Sequence, residues 1–457
     1  MSGPLPLAPD GGQGDTLALR LAADATLALR VPPAADDPVD RLAAELADRI
    51  GPAVHAYEVA ALLESEGLTG EQIQERYGHR DLFSLAADLY RRVPRSFPEP
   101  PPAADPWAPD HVRCALRGAL FALPGLAYLL TGRLWHSEQG VYALVAAGLL
   151  SWAWGQGLSH RAYLRLAAGR REAGRTLLVG AAAGALLASA AGVAMAGAGP
   201  AALFAVGQSL YLAAAGVLLV CGRERVLLAT LTPLLAGAAV LPWWDPGVVL
   251  RIGLPTLTVL MSAAAAGHAI RGMLGADAAP GAARPRFRDS LPYGLFGLGA
   301  GVLVVFVGRE QPLAVIALTL SMGPAEWLLY RYRGLSVAGL RATATGAAFR
   351  LRSARTLAIC LGAYLLPLVP AALLTGARPA PLLTVAGLLW TALLLQAFGI
   401  AWPPATVTLA AAAGVGTAAL LGGGPPPALA LLLCCGAAAG LLVVGVLWLL
   451  GRPTAHA

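Results

Sequence analysis

Residues 117–169 read RGALFALPGLAYLLTGRLWHSEQGVYALVAAGLLSWAWGQGLSHRAYLRLAAG, and residues 293–339 read YGLFGLGAGVLVVFVGREQPLAVIALTLSMGPAEWLLYRYRGLSVAG. Each stretch holds two apolar runs joined by a polar turn, and each leaves the second run through arginines. In the first run Gly118, Gly125, Gly132 and Arg133 match Gly294, Gly301, Gly308 and Arg309 at one fixed offset. In the second run Val145, Ala147, Leu150, Ser151, Leu158, Arg161, Gly169 and Arg171 match Val315, Ala317, Leu320, Ser321, Leu328, Arg331, Gly339 and Arg341 at another. The offsets differ because the turn is shorter in the second copy. The pattern reads as a membrane hairpin that occurs twice, and internal repetition of this kind organises a whole fold.

Outward from the hairpins the chain stays apolar. Of 457 residues, 57% are hydrophobic and 13% charged, about half the charged share of an ordinary soluble domain, ~25%. A bilayer span needs roughly 20 predominantly apolar residues. Twelve stretches qualify: about 114–132, 138–158, 175–197, 200–221, 225–242, 247–271, 290–308, 312–330, 354–376, 380–400, 404–421 and 426–450. The net charge of +7 comes from arginine without lysine, placed at the ends of these stretches. That placement is a topology signal and not a nucleic-acid one. With a cytoplasmic N-terminus, the cytoplasmic loops hold seventeen arginines and the external loops three, Arg133, Arg309 and Arg378. Six spans fill 113–271 and six fill 290–451, so both sets run in the same direction. The expectation is an all-α polytopic protein of the cell membrane, with about twelve transmembrane helices in two parallel six-helix lobes and both termini cytoplasmic. Parallel repeats are a recurrent transporter plan, with the substrate path between the lobes.

A soluble part precedes the membrane spans. Residues 1–37 are polar, lack the basic and apolar regions of a signal peptide, and read as a disordered segment. Residues 38–95 read as a small helical cytoplasmic domain. Asp37 with Pro38 is a helix start, Thr69 with Gln72 a capping box, and Asp81 a cap for a helix expected to bury Leu82, Phe83, Leu85, Leu89 and Tyr90. The run from Glu58 to Tyr90 loosely resembles the helix-turn-helix of tetracycline-repressor-like regulators. Residues 38–95 carry ten acids against seven arginines, and that balance repels phosphates, so no nucleic-acid partner is expected. A docking domain for a cytoplasmic protein fits better. The Pro-rich stretch 96–112 is a stiff linker, 272–289 a polar cytoplasmic linker between the lobes, and 452–457 a cytoplasmic tail.

The loop after the second span carries a family resemblance. Gly157-Leu158, Tyr163, Ala167-Ala168-Gly169-Arg170-Arg171-Glu172-Ala173 and Arg175 look like the corresponding loop of polysaccharide-type flippases in the multidrug/oligosaccharidyl-lipid/polysaccharide exporter superfamily. The Asp-Arg pair of the major facilitators is missing from it. The long N-terminal domain departs from the usual family pattern. The resemblance implies a flippase or exporter of lipid-linked saccharides or similar amphiphiles, working by alternating access and in contact with membrane lipids.

Five residues are candidates for a substrate path. Ionisable groups inside a bilayer are costly and kept for function, and arginine can hold a phosphate bidentately. Arg251, inside the sixth span, either lines the path or snorkels to pair with Asp245. Arg117 is a topology anchor or a cavity cation. Glu326 either pairs Arg331 or lines the path. Gln156 and Gln208 either form helix-to-helix hydrogen bonds or bind ligand. Carboxylates within the spans are so sparse that a proton-driven drug antiporter is disfavoured. Phosphate loops, zinc motifs and nucleophile elbows are missing, so neither an enzyme nor a bound cofactor or metal is expected. The five cysteines read as reduced packing thiols. Two other readings stay open: another twelve-helix secondary transporter, and a non-transporting scaffold whose N-terminal domain recruits a partner such as a glycosyltransferase.

Overall fold

The computed structural model describes residues 37–96, 107–132, 137–277, 285–421 and 425–455. The expected disordered segment, the middle of the Pro-rich linker, Arg133, Arg284 and the middle of the linker between the expected lobes lie outside the described residues. Every regular element among the described residues is a helix. The chain divides into two units, one up to Ala104 and one from Asp105 onward.

The N-terminal unit contains α1 (Pro38–Glu45), α2 (Ala47–Ile50), α3 (Ala56–Ser65), α4 (Gly70–Tyr77) and α5 (Leu82–Arg92). Its helix ends follow the sequence signals. The Asp37 side chain accepts from the Val39 amide, Thr69 and Gln72 form the reciprocal capping box, and Asp81 accepts from the Ser84 amide at 2.7 Å. Leu42, Leu46, Ile50, Val59, Leu63, Ile73, Leu85 and Leu89 form its core. Phe83 is a correction: it is 60% exposed and meets Tyr57 edge-on at 5.9 Å. Helical phase explains this, because Leu82, Leu85 and Leu89 share one face at three- and four-residue steps and Phe83 falls on the next face.

The second unit is a polytopic membrane protein. Eleven of its helices, among the described residues, are long and apolar enough to cross a bilayer. The first half comprises α6 (His111–Ala122) and α7 (Leu126–Thr131) in line, then α8 (Glu138–Ala168), α9 (Arg170–Ala196), α10 (Pro200–Val220), α11 (Glu224–Thr230), α12 (Thr232–Val240) and α13 (Val248–Leu274). The second half comprises α14 (Phe287–Glu310), α15 (Pro312–Leu320) and α16 (Met322–Ala342) in line, α17 (Gly346–Leu365) and α18 (Leu368–Leu374) in line, α19 (Pro379–Ala397), α20 (Trp402–Leu420) and α21 (Pro427–Leu449). Several of the breaks have a proline at or near them, at Pro124, Pro233, Pro324 and Pro367, where a backbone donor is missing. The expected span 225–242 is divided into two short helices, α11 and α12, and is not among the eleven.

Each half has its own core. One cluster of buried side chains runs from Leu120 to Met273 and the other from Phe296 to Leu450, without mixing. The neighbour relations also correspond. In the first half α8 packs on α9, α10 on α13, and α12 on both α7 and α13; in the second α16 packs on α17, α19 on α21, and α20 on both α14 and α21. Leu186, Leu203, Val249 and Leu420 stay exposed, as expected of side chains that face lipid.

The halves meet chiefly through two crossed pairs, α6 with α15 and α16, and α8 with α14. Small residues make both contacts close. A Cβ added to Gly118 would lie 3.1 Å from the Gly323 amide nitrogen, and one added to Gly294 would lie 3.2 Å from the Ala153 carbonyl oxygen. At the two offsets of the sequence repeat, Gly118 corresponds to Gly294 and Ala153 to Gly323. The two contacts are therefore equivalent positions of one repeated seam.

Candidate site at the seam between the halves

The first seam carries charge. Asp110 caps α6 by accepting from the Arg113 amide at 3.0 Å, and this places Arg113 and Arg117 one turn apart on one face. The chain turns at Gly222 (φ +66°) so that Glu224 opens α11 beneath that face. Arg113 Nε donates to Glu224 Oε1 at 2.8 Å. Arg117 reaches the same oxygen through Nε at 3.2 Å and Nη2 at 3.1 Å. Its remaining nitrogen, Nη1, donates to Glu326 Oε1 on α16, across the seam. The Glu224 side chain is 8% exposed and that of Arg117 18%. Two arginines and two carboxylates balance, which is the condition for holding charge in a dry place; removing one member leaves an uncompensated buried charge.

Aromatic groups extend this seam. Trp327 Nε1 donates to His111 Nδ1 at 2.8 Å, so the accepting nitrogen is unprotonated. Arg331 lies over the Trp327 ring at 5.7 Å.

The second seam is built from aromatic and amide groups. His160 stacks on Tyr293 with ring centroids 3.8 Å apart and planes 15° from parallel, and its Nδ1 is 3.2 Å from Ser290 Oγ. Gln156 covers Gly297, where a Cβ would lie 2.8 Å from Gln156 Cγ. By the repeat offsets, Gln156 corresponds to Glu326 and Tyr293 to Arg117. The backbone contact recurs, while the side chains differ, ionic at one seam and aromatic and amide at the other.

Three of the five expected site residues thus lie on the seams. Arg117 and Glu326 meet directly, and Gln156 sits at the equivalent place on the other side. Glu326 takes Arg117 as its partner, where the sequence offered Arg331. The remaining two lie elsewhere. Arg251 is 6% exposed and is engaged by Asp245, by Pro246 O at 3.0 Å and by Leu130 O at 2.8 Å. It ties the end of α7 to the start of α13. Leu130 is thirteen residues beyond Arg117, about 20 Å along a helical path. Gln208 accepts from Tyr128 Oη at 2.8 Å and donates to Leu144 O at 3.2 Å, joining α7, α8 and α10 within the first half. A cavity of about 20 Å³ beside Ser151, Trp154 and Ser209 is also inside the first half, with room for about one water molecule.

Protein-family models, curated proteins and solved structures return no match to this chain. The functional reading therefore rests on the residues themselves. Sequence reasoning missed Glu224 and Arg113. Glu224 lies between Arg223 and Arg225 at the mouth of an apolar stretch, where a carboxylate flanked by arginines looks like part of a solvated loop. Its burial is set by α6, more than a hundred residues earlier.

Proposed function

We propose that this chain is a flippase-like transporter that carries a lipid-linked saccharide or another amphiphilic anion across the cell membrane by alternating access between two parallel six-helix lobes. In this reading α11 and α12 together form the fifth helix of the first lobe, and both termini are cytoplasmic, as the arginine bias implies. The observation that carries it is the doubled seam: two separate cores joined by two crossed helix pairs at equivalent positions. Close contacts that glycine permits can part as units, and a rocking motion of one repeat against the other is how such bundles expose a central path.

Arg117 supports an anionic cargo. Its guanidinium is neutralised across the seam by Glu326, so when the halves part it faces the opening with a donor released. A planar guanidinium matches phosphate geometry. Membrane lipids are the surrounding partner, and a cytoplasmic protein bound to residues 38–95 is a second one. The scaffold reading has one observation in its favour, the separate core of the N-terminal unit, which equips it to dock a partner whether or not the lobes transport.

The test is reconstitution of the full chain in liposomes holding a fluorescent polyprenyl-phosphate saccharide, with inner-to-outer transfer followed by quenching. Transfer above that of protein-free liposomes, weakened by Arg117→Gln, is the expected result. Transfer no faster than the protein-free rate sinks the proposal.

A further inference from the structure

The short segment that leads into α6 belongs to the first half by chain connection but packs on the second. Trp107 lies over the guanidinium of Arg333 in α16, with Arg333 Cζ 3.8 Å from its ring centroid. On its other side Arg333 lies 5.0 Å from the ring of Phe398, just past the end of α19. Its Nη1 donates to Ala397 O at 3.0 Å, which fixes the guanidinium between the two rings. Four residues after Trp107, His111 accepts from Trp327 of the same α16. Both ends of the segment are thus held by the second half, while the helix it starts carries Arg113 and Arg117 of the first.

We propose that residues 107–111 are a strap that latches the two halves together at the arginine-rich end, with the Trp107–Arg333–Phe398 stack as the latch. The inference rests on the alternating-access reading above. For α6 to move away from α16, the stack and the His111–Trp327 hydrogen bond must both separate. Trp107 and Arg333 are both half-buried, and a cation–π contact at such a site is strong enough to bias such a motion. The strap is distinct from the ion pair: Arg117 and Glu326 sit on the helices, whereas the latch sits on the chain before them.

A native thiol reports on the outcome. Cys114 is 4% exposed and lies at the seam, where a Cβ on Gly323 would be 2.6 Å from the Cys114 carbonyl oxygen. The experiment uses the full-length protein in detergent, maleimide labelling, and peptide mass analysis to follow Cys114. Trp107→Ala is expected to speed Cys114 labelling about tenfold, the shift that losing one good cation–π contact gives a two-state opening. Arg333→Gln removes the cation instead of the ring and is expected to give the same acceleration, so the test stands on either variant. Trp107→Phe keeps an aromatic face and should stay near the wild-type rate. Cys435, fully buried in the second core, reports any general unfolding and should stay unlabelled. Glu326→Gln separates the inference from the reading beneath it. If Glu326→Gln speeds labelling and neither latch variant does, the strap is wrong and alternating access stands. If none of the three speeds it, both are overturned.

Discussion

Gly118 and Gly323 bring two helices from opposite halves of the chain into backbone contact: a Cβ on Gly118 would lie 2.8 Å from Leu320 O and 3.2 Å from Gly323 Cα. The obstructing atoms are main chain, so no rotamer change relieves them. Gly118→Ala or Gly323→Ala is expected to destabilise the membrane unit by about 1–3 kcal/mol, the usual cost of overpacking a tight contact. Gly125→Ala is the control, since nothing lies within 4 Å of its added Cβ. Thermal unfolding in detergent should lower the midpoint for the first two variants and leave the third unchanged or raised.

The charge network makes an ordered prediction. Arg117 serves two carboxylates, Glu224 and Glu326, whereas Glu326 has Arg117 as its ion-pair partner. Arg117→Gln should cost about 3–5 kcal/mol, as expected when buried charges lose their counter-ion. Glu326→Gln should cost less, because Arg117 keeps Glu224. Equal midpoints for the two single variants would remove the bridging role assigned to Arg117.

Arg251 and Gln208 are expected to matter for folding and not for transport. Arg251→Gln leaves Leu130 O and Asp245 without their donor, a loss of about 1–3 kcal/mol. Transport per folded molecule should be unaffected in Arg251→Gln and in Gln208→Leu, although less protein survives extraction. A transport defect that persists after correction for folded protein would return either residue to the substrate path.

Acid should loosen the N-terminal unit. Hydrogen bonding from the Arg92 guanidinium, with the Val39 amide, holds the Asp37 carboxyl below its usual value. The Ser84 amide does the same for Asp81. A carboxylate whose pKa is lowered on folding stabilises fully above its unfolded pKa, about 3.9, and the contribution is lost as pH falls through the lower, folded value. Protection factors of residues 38–92 in the full-length protein, with exchange corrected for its intrinsic pH dependence, should therefore be steady above about pH 5 and fall below about pH 4. Asp37→Asn should exchange faster than wild type at neutral pH and converge with it in acid.

The parts of this fold that depend on local chemistry were legible in the chain. Apolar length located eleven of the twelve expected spans, and Asp37, Thr69 and Asp81 announced the helices they cap. The repeat, read from matched glycines, pointed to Gly118 and Gly294, and both proved to be contact positions. What stayed hidden depends on partners far away in sequence. Glu224 is buried by arginines 107 and 111 residues earlier, and Trp107 looks like one more residue of a Pro-rich linker until Arg333 is brought beside it. The interruption between α11 and α12 was hidden for another reason. Composition is blind to a proline near a helix start, which ends one helix as readily as it begins the next.

The divergence of the two seams has a mechanical consequence. One joint is closed by guanidinium and carboxylate groups, which added salt screens mainly where Arg113 is exposed. The other is closed by a stacked ring pair and an amide over glycine, which ionic strength hardly touches. In the proposed alternating-access motion the ionic joint would act as the clasp and the His160–Tyr293 stack as the pivot, so the halves would part unevenly.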